Sequence, residues 1–349
     1  MDYCFIEEKS AMKKCIALLL VLISGCSSSN GVLHKQESTA NQSAQNPYQL
    51  ADSLEFNEVW AYFMKGEEDK IEGNEPITDL CYFSAKVSGR GQIVGEYAPP
   101  DIKFNNKIRH HIVIAVIDNF ALMHFVLNPE LSVRKHFIND ICKVASKFDG
   151  VQIDFESVAA SDAAWFFSFL KELRAALDKN KILSVALPPR RTRIADAYDY
   201  PSIAAIVDKA IIMAYDQHWS GSNPGPVAGL SWCREIAEFA KSFIPKEKLI
   251  MGLPLYGRSW QDKNFNKSVH YKHVEEMIKT SNIHPHYDPE NGAYFEYEEK
   301  VKVRVYFTDE RALFDRLKLY SSMSIDNVAF WRIGQGPSGM WQGISTKSL

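Results

Sequence analysis

The sequence predicts an α/β protein, a (β/α)8 TIM barrel with a small α+β insertion between its seventh and eighth strands. Three observations predict it. Eight short apolar runs recur along the chain, several of them separated by amphipathic helical patterns. Polar and aromatic residues cluster where some of these runs end, as they do at the functional end of barrel strands. The connection between the last two runs is too long for a loop without structure of its own. Buried parallel strands read as continuous apolar runs, and eight favour closure into a barrel, although spacing alone leaves an open doubly wound sheet available.

The first segment stands apart from this pattern. Lys13 and Lys14 precede an apolar stretch at 15–23, too short to cross a bilayer and suited to the central region of an export signal. It ends in Leu22-Ile23-Ser24-Gly25-Cys26, which resembles the lipobox of bacterial lipoproteins, so 1–26 is expected to be a signal peptide and Cys26 the lipidated residue that anchors the chain to a membrane, facing the periplasm or the cell exterior. An ordinary cleaved signal is the other reading. Residues 1–11 carry no basic region suited to a signal, which makes Met12 an alternative start. Residues 27–54 are rich in Ser, Asn and Gln at their beginning and read as a flexible tether.

The barrel itself is expected over 55–345. Its strands are read at 59–64, 80–85, 112–117, 151–155, 182–187, 210–215, 249–253 and 328–331. Helical patterns occupy 130–148, 163–179 and 232–243, the last stopped by Pro245, with Ser161 and Ser231 placed as N-caps. The insertion, read at 261–306, holds a helix at 271–279, a turn-rich stretch and two alternating runs. Such an insertion after the seventh strand should wall one side of the site.

Composition narrows the function. With 349 residues and 46% hydrophobic content the chain can bury a large core, which excludes wholesale disorder. A net charge of −3 with scattered basic residues argues against a nucleic-acid partner and for an uncharged or small one. Cys81, Cys142 and Cys233, the cysteines outside the leader, cannot all pair with one another and sit among apolar residues, so buried free thiols are expected. No His or Cys spacing reads as a zinc site, and neither metal nor cofactor is expected.

The chemistry is concentrated in the run Asp149-Gly150-Val151-Gln152-Ile153-Asp154-Phe155-Glu156. A two-residue period puts Val151, Ile153 and Phe155 on one face of the strand and Gln152, Asp154 and Glu156 on the other. In a barrel the apolar face meets the helices, so the polar triplet points inward. Two carboxyls this close resist joint ionisation, which should keep Glu156 protonated as an acid. Three further clusters close apolar runs: Met213-Ala214-Tyr215-Asp216-Gln217-His218-Trp219, Pro254-Leu255-Tyr256-Gly257-Arg258, and Phe330-Trp331-Arg332. The aromatic face of Trp331 suits the apolar side of a sugar ring.

Together these four segments resemble glycoside hydrolase family 18, the chitinase and endo-N-acetylglucosaminidase family, over roughly residues 57–335. The family's Asp-Gly-x-Asp-x-Asp-x-Glu pattern is met by Asp149, Gly150, Asp154 and Glu156, with Gln152 at its second Asp position. Its Met-x-Tyr-Asp segment is met by Met213, Tyr215 and Asp216, its Pro-x-Tyr-Gly-Arg segment by Pro254, Tyr256, Gly257 and Arg258, and its last-strand tryptophan by Trp331. The short insertion, with Tyr294-Phe295-Glu296-Tyr297 and Arg304-Val305-Tyr306-Phe307, looks like the spore-cortex and cell-wall-lytic branch. The resemblance implies substrate-assisted, retaining hydrolysis of β-1,4-linked N-acetylglucosamine glycans, in which the substrate's acetamido oxygen attacks the anomeric carbon. Glu156 would then be the acid and later the base, Asp154 would orient the acetamido group, and Tyr215 would bond its oxygen. Asp149, Gln152, Met213, Asp216, Tyr256, Arg258 and Trp331 would bind substrate.

Gln152 departs from the family's commonest pattern, which has Asp there; an amide can hold hydrogen bonds but cannot share a proton, so the pH profile should differ. A chitooligosaccharide, peptidoglycan and an N-glycan core all carry the required N-acetyl group. The alternative classes are a non-catalytic, chitinase-like carbohydrate-binding protein and an endo-β-N-acetylglucosaminidase acting on N-glycans. A monomer is expected.

Overall fold

The computed structural model describes residues 53–261, 265–298 and 302–347; the leader, Cys26 and most of the tether lie outside the described residues. Eight parallel strands close on themselves: β1 (Glu58–Met64), β2 (Asp79–Val87), β3 (Arg109–Val116), β4 (Gly150–Phe155), β5 (Ile182–Leu187), β6 (Lys209–Ile212), β7 (Leu249–Pro254) and, after the insertion, β13 (Asn327–Trp331). Closure is made where β13 pairs with β1 and β1 with β2, with Val328 opposite Val59 and Ala61 opposite Leu80. Leu54, assigned to the tether from composition, instead opens a short strand, Leu54–Phe56, that pairs in parallel with Ile344–Thr346.

The two-residue period divides each strand between two cores. On β4, the outward Phe155 packs on Phe137, Phe166 and Phe169, with ring centroids 6.2, 6.0 and 5.7 Å away. These rings come from α2 (Ser132–Ala145) and α3 (Ala163–Ala176). The inward residues Trp60, Tyr62, Cys81, Val113, Ile211, Ile250 and Trp331 fill the barrel. Gly150 is required at the start of β4, since a Cβ there would lie 2.3 Å from His111 Nδ1 and 2.8 Å from Ile182 O.

Three helices were not expected: α1 (Phe120–Leu127), α4 (Tyr200–Ala204) and α7 (Glu310–Ser322). Helix α1 is apolar at all but one position, which erases the amphipathic signal. The expected serine caps are also corrected. Helix α3 begins after Asp162, without a side-chain cap bond, and Ser161 lies a residue too early. Helix α5 (Leu230–Lys241) begins after Gly229, so Ser231 lies in its first turn, where its N–H and hydroxyl both donate to Glu290, at 2.7 and 2.6 Å. A carboxylate at a helix N-terminus satisfies free amides and suits the dipole, so a residue of the insertion does the capping. Of the three cysteines, Cys81 and Cys233 are buried free thiols, but Cys142 is only half-buried.

The N-terminal end of the barrel is closed by charges. Arg109 Nη2 meets Asp79 Oδ2 at 2.6 Å and Glu58 Oε1 at 3.1 Å, and Lys209 reaches the same Glu58 oxygen at 2.8 Å. His111 Nε2 lies 2.7 Å from Asp79 Oδ1. Burial works against the Asp79 carboxylate, but its bonds to His111 and Arg109 hold it below its ordinary pKa.

The insertion is a five-stranded antiparallel sheet in the order β9-β8-β12-β11-β10: β8 (Tyr256–Gln261), β9 (Phe265–His270), β10 (His286–Asp288), β11 (Gly292–Glu298) and β12 (Lys302–Phe307), with helix α6 (Tyr271–Thr280). Its sheet starts at Tyr256, five residues before the boundary read from the sequence, so Tyr256 and Arg258 belong to the insertion and not to a barrel loop. Val269, Val274, Phe295 and Val305 give it a core of its own.

Candidate active site

Strand β4 ends at Phe155, and Glu156 emerges half-buried at the C-terminal mouth, its N–H bonded to Val116 O of β3 at 3.0 Å. Asp154 is buried one step below, and its Oδ1 has no hydrogen-bond partner among the described residues. Burial raises the pKa of both carboxyls. Glu156 is pushed up further by the charges of Asp154, then Asp118, then Asp216. The pair therefore retains a proton well above the usual carboxylate range.

Gln152 lies deeper still. Tyr62 donates its hydroxyl hydrogen to Gln152 Oε1 at 2.9 Å, and Gln152 Nε2 donates to Ser184 Oγ at 3.4 Å. The amide thus links β1, β4 and β5 inside the barrel, with its oxygen fixed toward Tyr62.

The strand expected to run to Tyr215 stops at Ile212. Ala214 N–H bonds to Ile212 O and Tyr215 N–H to Met213 O, both at 2.8 Å, and these tight i to i−2 turns lift the segment out of the sheet. Asp216 follows at φ +59°, the left-handed region that Asp tolerates better than most residues. Its Oδ1 accepts from the Tyr256 hydroxyl at 2.5 Å and from Arg258 Nη2 and Nε at 2.8 and 3.1 Å. The Tyr215 and Tyr256 rings meet edge to face, 6.4 Å apart. Trp331, nearly buried at the end of β13, packs on Phe83 at 4.6 Å and Tyr62 at 5.3 Å. Met213 is half-buried beside Gly252 of β7.

Asp149 is the exception among the expected site residues. It is exposed at the N-terminal end of β4, roughly 20 Å of strand away from Glu156. Its Oδ2 accepts from His110 N at 2.8 Å, so it ties β3 to β4 and does not belong to the mouth. Two residues of the site escaped the sequence reading, Asp118 at the mouth and Tyr62 beside Gln152 below it. Asp118 closes β3 as Asp216 follows β6, and an acid directly after an apolar run was the available signal. Tyr62 was concealed inside an aromatic strand. Among the described residues no group of three or more His, Cys, Asp or Glu side chains is disposed to hold a metal ion.

Residues 60–336 match the family described as glycosyl hydrolases family 18. The chain belongs to that family. Family 18 membership places it among the glycosidases and agrees with the closed barrel. The family 18 barrel is 28% identical to the cortical fragment-lytic enzyme of Bacillus cereus over 75% of this chain and 66% of that protein. It is 30% identical to the protein YdhD of Bacillus subtilis strain 168 over 63% of this chain and 56% of that one. It thus spans less than two thirds of the length of either relative. The crystal structure of the Bacillus cereus spore cortex-lytic enzyme SleL superposes with a TM-score of 0.75 at 25% identity, covering 85% of this chain and 76% of SleL.

Proposed function

We propose that this family 18 glycosidase hydrolyses β-1,4-linked N-acetylglucosamine glycans with retention of configuration, using the substrate's own acetamido group as nucleophile. The observation that carries this reading is the disposition of Asp154 and Glu156 on one strand: a buried carboxyl with an unpartnered Oδ1 directly below a raised, proton-holding carboxyl at the mouth. A conventional retaining enzyme needs a second carboxylate facing the acid across the sugar. Asp154 leaves from the same strand as Glu156, and Asp216 Oδ1 is engaged by Tyr256 and Arg258, which weakens it as a nucleophile. In the proposed reaction Asp154 Oδ1 accepts the acetamido N–H and Tyr215 donates to the acetamido oxygen. The oxygen attacks the anomeric carbon as Glu156 protonates the leaving oxygen, and Glu156 then activates water to open the oxazolinium. Trp331 offers an apolar surface to the sugar.

Similarity to cortical fragment-lytic and spore cortex-lytic enzymes favours peptidoglycan among these glycans, and the sequence at 13–26 supports export with a lipid anchor at Cys26. Among the described residues no helix is long and apolar enough to cross a membrane. The test is incubation of the protein and Glu156→Gln with peptidoglycan fragments, chitooligosaccharides and a high-mannose glycopeptide. Peptidoglycan cleavage with a retained anomeric product, lost in Glu156→Gln, is the expected result. An inverted product would overturn the mechanism, and binding without turnover of all three would make the chain a carbohydrate-binding protein.

A further inference from the structure

The segment that carries Glu156, Phe155-Glu156-Ser157-Val158, runs on past the end of β4 without helix, strand or turn of its own after Phe155. The Phe155 carbonyl and the Val158 N–H are both met by one side chain from elsewhere in the chain. The Tyr198 hydroxyl donates to Phe155 O at 2.8 Å and accepts from Val158 N at 3.1 Å. A phenol has one donor hydrogen and acceptor capacity on the same oxygen, so one hydroxyl can bridge the two backbone groups.

The other side of the same segment is fixed by β3 and the residues after it. Glu156 N–H bonds to Val116 O, and Asn119 N–H donates to Ser157 Oγ at 3.1 Å, with Ser157 buried. Tyr198 is itself firmly placed. Its ring lies edge-on to the buried Phe166 of α3 at 6.3 Å, and its N–H donates to Asp196 Oδ1 at 2.9 Å, while Asp196 Oδ2 pairs with Arg190. The following Asp199 caps α4, accepting from Ser202 N at 3.1 Å. Burial raises the Tyr198 hydroxyl to about 12, with the charges of Glu156, Asp196 and Asp154 adding to this, so it keeps its proton throughout the working range.

We propose that Tyr198 is a positioning residue for the reaction: by bridging Phe155 O and Val158 N it sets the direction in which Glu156 presents its carboxyl to the glycosidic oxygen. The inference rests on Glu156 being the acid. It assigns to the β5–α4 connection a part in the chemistry of β4, through one hydroxyl group.

The test is Tyr198→Phe, which keeps the ring on Phe166 and removes the bridge. On whichever of the three glycans is cleaved, kcat should fall about 10- to 100-fold with KM changed by less than about twofold, the signature of an acid displaced by a fraction of an ångström to an ångström. Tyr200→Phe is the control. Tyr200 is the first residue of the adjacent α4, and its hydroxyl donates to Pro188 O, at 2.6 Å, and not to the segment that carries Glu156. This variant should match Tyr198→Phe in lost thermal stability but keep kcat near wild type. Equal kcat losses in the two variants would mean general loosening and would overturn the proposal, as would an unchanged kcat in Tyr198→Phe. Carbon-13 NMR titration of the Glu156 carboxyl gives a readout that needs no turnover: its titration should differ between Tyr198→Phe and wild type, because a displaced carboxyl changes its burial and its distance from Asp154, and an unchanged titration counts against the bridge. If Glu156→Gln retains full turnover, it is the proposed function that fails, and that result is separate from the behaviour of Tyr198.

Discussion

The Tyr256 hydroxyl donates to Asp216 Oδ1 at 2.5 Å, joining the first strand of the insertion to the loop that follows β6. Arg258, two residues further along that strand, shares the same oxygen. The insertion thereby holds a carboxylate whose charge reaches Glu156. Asp216→Asn removes a negative charge that raises Glu156 and leaves Arg258 less compensated, and both effects favour ionisation of the acid. The basic limb of the kcat/KM profile should move to lower pH. Asp118→Asn should move it further in the same direction, because Asp118 acts more strongly on Glu156 than Asp216 does. A limb that stays in place in both variants would show that another group sets it.

Glu156→Gln should separate function from stability. Loss of the proposed general acid is expected to reduce kcat roughly 100- to 10,000-fold. The stability effect has the opposite sign. Because the folded-state pKa of Glu156 lies above its unfolded value, the folded chain binds more protons than the unfolded one between the two values, and stability falls as pH rises through that window. The amide has no such dependence. Thermal melts should therefore show Glu156→Gln at or above wild type at pH 8, with the gap closing toward pH 4. A variant equally destabilised at both values would mean that the carboxyl stabilises the fold.

The charged floor of the barrel makes the converse case. Arg109→Met leaves Asp79 buried with His111 and the Thr78 hydroxyl and removes one partner of Glu58. Breaking one side of a buried ion pair costs about 3 to 5 kcal/mol. For Asp79 the folded pKa lies below the unfolded value, so its contribution is present above the unfolded pKa and is lost as pH falls through the folded one. Urea denaturation should show the loss at pH 7 shrinking in acid, while kcat of the folded fraction is unchanged, since the floor lies at the far end of the barrel from Glu156.

How much of this could be read in advance follows from the range of each interaction. The alternation of Gln152, Asp154 and Glu156 against Val151, Ile153 and Phe155 is local, so the strand, its inward face and its acidic end were legible. Asp149 belongs to the same run but is seven residues from Glu156, and only the strand's length along the barrel axis separates their roles. Tyr215 looked like strand because it follows apolar residues; the tight turns after Ile212 depend on backbone bonds that leave no mark in the residue pattern. Helix α1 was hidden by the absence of polar positions. Tyr198 lies 42 positions from Glu156, and nothing short of the folded chain brings its hydroxyl to Phe155 O.

Gly252 on β7 tests how closely Tyr215 is held. A Cβ at this position would lie 2.8 Å from Ile212 O and 3.1 Å from Tyr215 Cε1. The first neighbour is backbone of β6 and yields little; the second is the ring proposed to bond the acetamido oxygen. Gly252→Ala must therefore widen the β6–β7 pairing or push Tyr215 aside. Overpacking of this kind costs about 1 to 3 kcal/mol, and displacing a group that acts in the transition state lowers kcat more than it raises KM. Gly89, whose added Cβ would meet nothing within 4 Å, is the matched control. If Gly252→Ala loses stability but keeps wild-type kcat, the strands have absorbed the methyl group and Tyr215 has not moved. If both stability and kcat fall while Gly89→Ala is unaffected, the tightness of β7 against β6 is part of what places the tyrosine.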